Sequence, residues 1–426
     1  MNKMNFFNKL KTIFYDKGLR GRILFILGAL CISRLLASIP ISGIDTAKLL
    51  SFFSGNDFLS FLNVFSGGGM SNLSIVMLGV GPYITASIIM QLLTMMSSKI
   101  KNMYQEEGEI GRRKFMQMSR ILTVPIALIQ GFAFLKLLEN SAVITHINFF
   151  DFSLNLLIIT AGAMLMMWIG ELMTEFGIGN GTSLLIFAGI VAGLPATISH
   201  MSASFSIDQI PIYLILGIVF LIVIFGIVFI SEAERPIPVT YAKRVMGSKV
   251  SGGVSTYLPL RLNQAGVIPI IFAMSILLFP QMIFKYLSSI AINDIVKNIA
   301  ITLNDFLANA WVNGILYFLL VFLFTYFYTA ITFDPDQISK NLQQGGAFIP
   351  GIRPGISTSE YLAKILTRIT LIGALFLGTI AVLPLIVQSV SGISSIAVGG
   401  TALLIVVSVV IDLIKKIQAQ ITMREY

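Results

Sequence analysis

Apolar residues run through this chain in stretches of roughly 20, each bounded by charge, glycine or proline and long enough to cross a ~30 Å hydrocarbon core as a helix. The runs lie near 22–41, 74–96, 119–138, 153–174, 183–199, 211–231, 266–287, 311–332, 367–388 and 396–414. Backbone polar groups in hydrocarbon must be satisfied within their own segment, so the runs are read as helices. The expected fold class is all-α: a polytopic membrane protein with ten transmembrane helices. Because five is odd, the first and last five spans enter the membrane in opposite senses. Two inverted five-helix halves, 1–199 and 211–426, are therefore allowed by topology, although no internal sequence repeat connects them.

Composition agrees with this pattern. Of 426 residues, 56% are hydrophobic and 12% charged, against the ~25% charged of soluble domains. The first run stays apolar from Gly21 to Ile41 without an A-x-A-like site, so a span is expected there and not a cleaved signal. Net charge is +9, and its placement says more than its size. With a cytoplasmic N-terminus, 24 of the 29 Lys and Arg fall in inside segments, a bias that puts both termini in the cytoplasm. Arg34, Lys48, Lys136, Lys285 and Lys297 are the exceptions, at the outside or in spans that end there.

The connecting segments are unequal. Those at 232–263 and 333–366 are long, carry Pro, Gly and basic residues, and are expected to protrude into the cytoplasm as functional loops. Outside, 42–73 is less polar than a solvated loop. Its stretch from Phe58 to Phe65 suits a helix too short to span, with Gly67-Gly68-Gly69 as a hinge.

Familiar reaction chemistry is missing. Cys31 has no intrachain partner, and His146 and His200, in predicted outside loops, are not at metal-ligand spacing, so no metal site is expected. Ionisable residues are nearly absent from mid-span. Arg34 can snorkel, and Glu171 and Asp412 lie toward inner ends, which argues against a proton- or sodium-coupled transporter. No G-x-x-x-x-G-K-[ST] loop occurs, and the glycines at 177–181 and 399–400 read as turns or close helix contacts. The spans offer neither a Ser–His pair nor paired aspartates for proteolysis. The expectation is no catalytic residue, no cofactor, and an energy source outside this polypeptide.

Four local sequences are distinctive: Phe65-Ser66-Gly67-Gly68-Gly69 leading to Gly81-Pro82-Tyr83-Ile84-Thr85-Ala86-Ser87; Glu107-Gly108-Glu109-Ile110-Gly111-Arg112-Arg113-Lys114; Gly177-Ile178-Gly179-Asn180-Gly181-Thr182-Ser183; and Gly346-Ala347-Phe348-Ile349-Pro350-Gly351-Ile352-Arg353-Pro354-Gly355. Together with Gly399-Gly400-Thr401-Ala402-Leu403-Leu404-Ile405 they closely resemble the bacterial SecY family of translocon channel subunits, over nearly the whole chain.

That resemblance implies two five-helix halves around a central hourglass pore in the bacterial plasma membrane. Its waist would be ringed by Val80, Ile84, Ile186, Ile271 and Ile405. A plug helix would occupy 58–70, including Phe61, Leu62, Val64, Phe65, Gly67, Gly68 and Gly69. Spans two and three would open sideways against seven and eight, with Gln91, Thr123 and Asn263 at this lateral gate. Lys243, Arg244 and Arg353, on the long loops, would dock a ribosome, through its RNA, or the SecA motor. SecE-like and SecG-like small membrane subunits, membrane lipids and unfolded polypeptide complete the implied partners.

The residues allow the same reading. Val80 and Ile84 are one helical turn apart and share a face. A narrow aliphatic ring blocks ions by dewetting and makes no specific contact with a passing chain. Positive-inside charge alone explains Arg112, Arg113 and Lys114, but less well the basic tips of protruding loops, which suit RNA phosphate or an acidic surface. One departure is that Val245-Met246-Gly247-Ser248-Lys249 and Glu234-Arg235-Pro236-Ile237-Pro238 are less basic than in many relatives, which weakens docking there or shifts it toward Arg353. Two other classes remain open at this point: a secondary transporter for small solutes, and an insertase without a through-pore.

Overall fold

A computed structural model of the chain describes residues 15–41, 69–70, 73–105, 107–140, 148–203, 210–241, 244–246, 249–251, 255–266, 268–290, 294–391 and 395–425. Each predicted run coincides with a helix: α1 (Lys17–Ala37), α2 (Gly81–Met96), α4 (Gly108–Asn140), α5 (Phe149–Phe176), α6 (Gly181–Ala203), α7 (Ile210–Glu232), α8 (Ile268–Ile290), α10 (Ala310–Thr332), α12 (Ile356–Ser391) and α13 (Ser395–Glu425). Shorter helices α3 (Ser98–Gln105), α9 (Asp294–Ala308) and α11 (Pro335–Gln344) join them. Among the described residues α4, α5, α10 and α12 are long and apolar enough to cross a bilayer outright, and α2, α6, α7 and α8 carry shorter apolar stretches.

Helices outrun the apolar runs where charge is paired along a helix. The start of α4 has Arg113 bonded to Glu109 at 3.3 Å, and the end of α13 has Lys416 on Asp412 at 2.9 Å. Apolar patterning stops at the first charge; the hydrogen-bonded backbone does not. Likewise α6 runs on to Ala203, so His200 lies in a helix and not in a loop.

The second run departs from expectation in the other direction. Leu73–Val80 is a chain of turns, with positive φ at Leu73 (41°) and Gly79 (54°), and helix begins only at Gly81. Irregular backbone is tolerated at membrane depth only where protein covers it. Here Ile75 donates to the Ile39 carbonyl (3.0 Å) and Ile41 to that of Leu73 (2.9 Å). Gly162 of α5 admits the segment so closely that a Cβ there would sit 1.9 Å from the Ile75 carbonyl oxygen.

Packing sorts the helices into two groups. α2 and α4 pack on each other, and α5 packs on α1, α2, α4 and α6; α12 packs on α7, α8, α10 and α13. The extensive contacts between α1–α6 and α7–α13 are confined to two lines, α8 against α2 and α4, and α6 against α13.

The segments 232–263 and 333–366, expected as separate loops, form one body. Strands β1 (Glu234–Tyr241) and β4 (Ser255–Arg261) pair antiparallel, and β5 (Ala347–Phe348) adds to β1, giving the order β4-β1-β5. A small hairpin of β2 (Arg244–Met246) and β3 (Lys249–Ser251) lies between β1 and β4 in the chain. Pro236 stands opposite Pro259, so neither can donate, and Pro238 belongs to the same alternate set of pairs; all three therefore occupy non-hydrogen-bonded positions. Ile237, Val239, Leu260, Ala347 and Ile349 pack on Leu362, Ile365 and Ile369 of α12 as a satellite core.

The Gly162 contact gives a direct test. Gly162→Leu forces the Leu73–Val80 backbone out of place, and overpacking of this kind destabilises by about 1–3 kcal/mol. A thermal melt of the purified protein should fall clearly below that of wild type. Gly217→Ala in α7, where nothing lies within 4 Å of the added carbon, should melt at or above the wild-type temperature.

Candidate functional site

Val80, Ile84, Ile186, Ile271 and Ile405 come from α2, α6, α8 and α13, and all five are buried, between 1% and 8% exposed. They belong to one contiguous cluster of buried apolar side chains that draws on both helix groups. Local structure fixes their positions. Val80 is the N-cap of α2, and its carbonyl accepts from the Ile84 N–H at 3.0 Å. Pro82 suits the first turn of α2, where its missing N–H has no helical partner to lose. Ile186 follows the start of α6, where the Asn180 side-chain oxygen accepts from the Thr182 (3.1 Å) and Ser183 (3.4 Å) N–H groups.

A cavity of about 310 Å³ opens beside this cluster. Its apolar lining includes Leu184, Ile268 and Val409, each within about one turn of Ile186, Ile271 and Ile405, together with Ala265, Tyr328, Ile411 and Leu413. Its polar lining includes Asn180 just before α6, Ser183 of α6, Ser408, Asp412 and Lys416 of α13, and Asn263 in the link between β4 and α8. Ionic partners hold the rim: Lys416 on Asp412 at 2.9 Å, Arg261 on Glu234 at 3.3 Å, and Lys415 Nζ donating to the Ser231 carbonyl at 2.8 Å. A partly polar cavity thus adjoins a cluster of aliphatic side chains that cannot hydrogen-bond water.

Gln91, Thr123 and Asn263 lie on α2, on α4 and just before α8, the elements that meet at one of the two contact lines. No hydrogen bond joins the three to one another among the described residues. Thr123 Oγ1 donates to the Ser119 carbonyl (2.8 Å), and Asn263 Nδ2 to that of Gly266 (3.1 Å). Gln91 Oε1 and Asn263 Oδ1 are buried without a donor. Toward the sheet-bearing end the groups part around a second cavity of about 310 Å³, with Tyr104 and Arg112 on one side and Asp334, Gln337 and Asn341 on the other.

Of the expected plug residues, Phe61, Leu62, Val64, Phe65, Gly67 and Gly68 lie outside the described residues. Gly69 is described and buried, and its carbonyl accepts from the Ser74 N–H at 2.9 Å, at the entry to the irregular stretch. Lys243 also lies outside the described residues, and Arg244 is described only as the first residue of β2. Arg353 is exposed on a turn between Gly351 and Gly355, whose φ values of 84° and 104° suit glycine. The Arg353 carbonyl accepts from Thr358 Oγ1 (2.9 Å), the Gly355 carbonyl from Ser339 Oγ (2.6 Å), and Ser359 bonds Asp336.

Sequence reasoning passed over one cluster. Glu171 pairs with Arg120 of α4 at 2.9 Å, and the Tyr83 hydroxyl, next in chain to Ile84, interacts with Glu171 and Ser87. A carboxylate near a span end, with an arginine at the matching depth of the preceding span, is the signal that would have found it. The partly polar cavity went unnoticed because its polar residues are scattered among span ends.

The chain resembles known proteins over almost all its length. The SecY family model matches residues 74–414. The protein translocase subunit SecY of Synechocystis sp. is 41% identical over 417 residues, covering 96% of this chain and 93% of that one. The corresponding subunit of Thermotoga maritima is 42% identical over 429 residues, covering 98% and 96%. Among solved structures, a protein-conducting channel superposes with a TM-score of 0.66 at 19% identity, covering 95% of this chain and 93% of that chain. A SecY channel, solved to show that its plug domain stabilises the closed state and maintains a membrane seal, gives 0.65 at 19% identity, with 98% and 97% covered. Sec61 in a canine ribosome-channel complex from the endoplasmic reticulum gives 0.62 at 18%, with 95% and 93% covered. At these identities the structures speak for the fold, and the sequence relatives for the family: a multi-pass membrane protein, this chain belongs to the SecY family.

Proposed function

We propose that this chain is the protein-conducting subunit of a bacterial Sec translocon, passing unfolded secretory polypeptides across the plasma membrane and releasing hydrophobic segments sideways into lipid. The observation that carries the reading is a partly polar cavity beside a buried aliphatic cluster drawn from four helices of both groups. Val80, Ile84, Ile186, Ile271 and Ile405 form the collar of a shut pore, whose apolar lining excludes ions until a chain parts it. Such a collar makes no sequence-specific bond, so its substrate is an extended polypeptide of arbitrary sequence. The chain acts as a conduit and not as an enzyme, and a partner supplies the energy.

The halves 1–199 and 211–426 move against each other. Their seam opens where α8 meets α2 and α4; Gln91 Oε1 of α2, buried without a donor, lowers the barrier to parting, and Asn263 Oδ1, also without a donor, stands just before α8. A hydrophobic segment in the opened seam exits by its apolar content, while Asp, Lys or Arg opposes exit by about 2.5–3.5 kcal/mol per residue. The segment 58–70 takes the part of a plug, the domain said to stabilise the closed state and maintain a membrane seal in the related SecY channel. Both termini and the shared β-sheet face the cytoplasm, consistent with the distribution of Lys and Arg. There Lys243, Arg244 and Arg353 meet ribosomal RNA or the acidic surface of a SecA-like motor, and SecE-like and SecG-like subunits brace the halves. The ribosome-bound state of the related Sec61 channel supports the first of these contacts.

Four outcomes follow. Crosslinkers at positions 84, 186, 271 and 405 should all capture one stalled secretory chain; labelling of lipid alone from these sites would remove the collar. Ile271→Asn with Ile405→Asn should raise the resting ion conductance of proteoliposomes about tenfold or more, because polar groups wet the constriction. Deleting 58–70 should produce a similar leak, which an insertase without a pore would not show. Gln91→Leu with Asn263→Leu should stabilise the closed seam by about 1–3 kcal/mol. The readout is a higher hydrophobicity threshold for lateral release of a model segment series.

A further inference from the structure

Between α8 and α10 the chain inserts α9, a helix the conduit itself does not need. At 1.5 Å per residue its 15 residues reach about 22 Å, too short for a ~30 Å core. Wound at about 100° per residue, Ile295, Val296, Ile299, Leu303 and Phe306 share one arc, while Asp294, Lys297, Asn298 and Asp305 gather opposite. Ala300 is the one buried residue of the helix, whereas the five apolar residues are 38% to 69% exposed. The helix is nonetheless held in place. It packs on both α8 and α10, and its Leu307 carbonyl accepts from Gln281 Nε2 of α8 (3.4 Å) and Asn313 Nδ2 of α10 (3.3 Å).

What covers the exposed arc follows from its neighbours. Three residues beyond α9, Trp311 opens α10 and is 70% exposed, followed by exposed Ile315, Leu319 and Leu323 on the same helix. In a multi-pass protein an exposed stripe of this kind on a spanning helix meets lipid, and an exposed tryptophan at its end marks the boundary with water. The apolar arc of α9 therefore begins at the depth where that lipid-facing surface stops. A short helix with one apolar and one charged face at this depth has the form of an interfacial helix.

We infer that α9 lies in the membrane–water interface at the face opposite the β-sheet, with Ile295, Ile299, Leu303 and Phe306 set into the boundary between headgroups and acyl chains. The partner is the lipid surface itself. Because α9 is bonded to α8, and α8 also touches α2 and α4 across the seam, the lipid contact pins one end of α8 at constant depth. The other end, which carries Ile271, is left to swing. This placement rests on the chain spanning a membrane and not on polypeptide conduction, so the two readings fail separately.

The test uses the full-length chain with Cys31→Ser, reconstituted in phosphatidylcholine–phosphatidylglycerol vesicles. Single cysteines replace Ile299, Leu303, Asn298 or Asp305 and carry an environment-sensitive fluorophore. Only variants that melt within a few degrees of the parent are compared. Labels at 299 and 303 should be quenched by lipid bearing a shallow nitroxide about threefold more than labels at 298 and 305, and should resist aqueous iodide. Iodide quenching at 299 and 303 equal to that at 298 would put the helix in water and overturn the inference. Protection of 299 and 303 from both quenchers would mean a protein cover and would overturn it equally.

Discussion

Water will not wet a narrow collar of aliphatic side chains, and in the function proposed here the rest of the molecule serves to build such a collar and let it be broken. A collar needs side chains from several helices at one depth. It cannot be built within one compact bundle, because the chain it admits must pass between bundles. The two contact lines, α8 on α2 and α4, and α6 on α13, deliver the four helices that carry the buried ring. The cavity lies on one side of this cluster, and on α13 its lining residues Ser408, Val409 and Asp412 follow buried Ile405 within about two turns.

That arrangement places irregular backbone deep in the protein, where it must be protected. Val80 can reach the collar only at the start of α2, so the chain must arrive there without a helix. Leu73–Val80 does this, with its amides bonded to Ile39 and to one another and its surface pressed on Gly162. Other buried groups are left unsatisfied: Gln91 Oε1 on α2 and Asn263 Oδ1 just before α8 have no donor among the described residues. In the proposed function, firm packing within each group and unsatisfied acceptors beside the line between them suit a hinged conduit.

The spans could be read from sequence because a bilayer dictates their length, and the halves because five is odd. The proposed ring positions rest only on resemblance, since an isoleucine in an apolar run carries no individual signal; Ile271 is one of several apolar residues in α8. The irregular start of the second run was hidden because apolar patterning is blind to whether buried backbone is helical. The partly polar cavity was hidden because Asn180, Asn263 and Asp412 lie far apart in the chain and converge only when the halves close. The β-sheet was hidden by Pro236, Pro238 and Pro259, which argue against strands until the register shows that no ladder bond is lost.

One helix ties these features together. α8 supplies Ile271 to the collar, faces α2 and α4 at the seam, and braces α10 through edge-on contacts of Phe272 with Phe324 and Tyr328. In the proposed function, displacing it would break the collar and open the seam in one motion, so that passage across the membrane and release into it would share a single moving part. The α10 face of α8 is aromatic and closely packed, so α8 and α10 move together against α2 and α4. On that proposal the packing of α8 alone couples the seam to the collar.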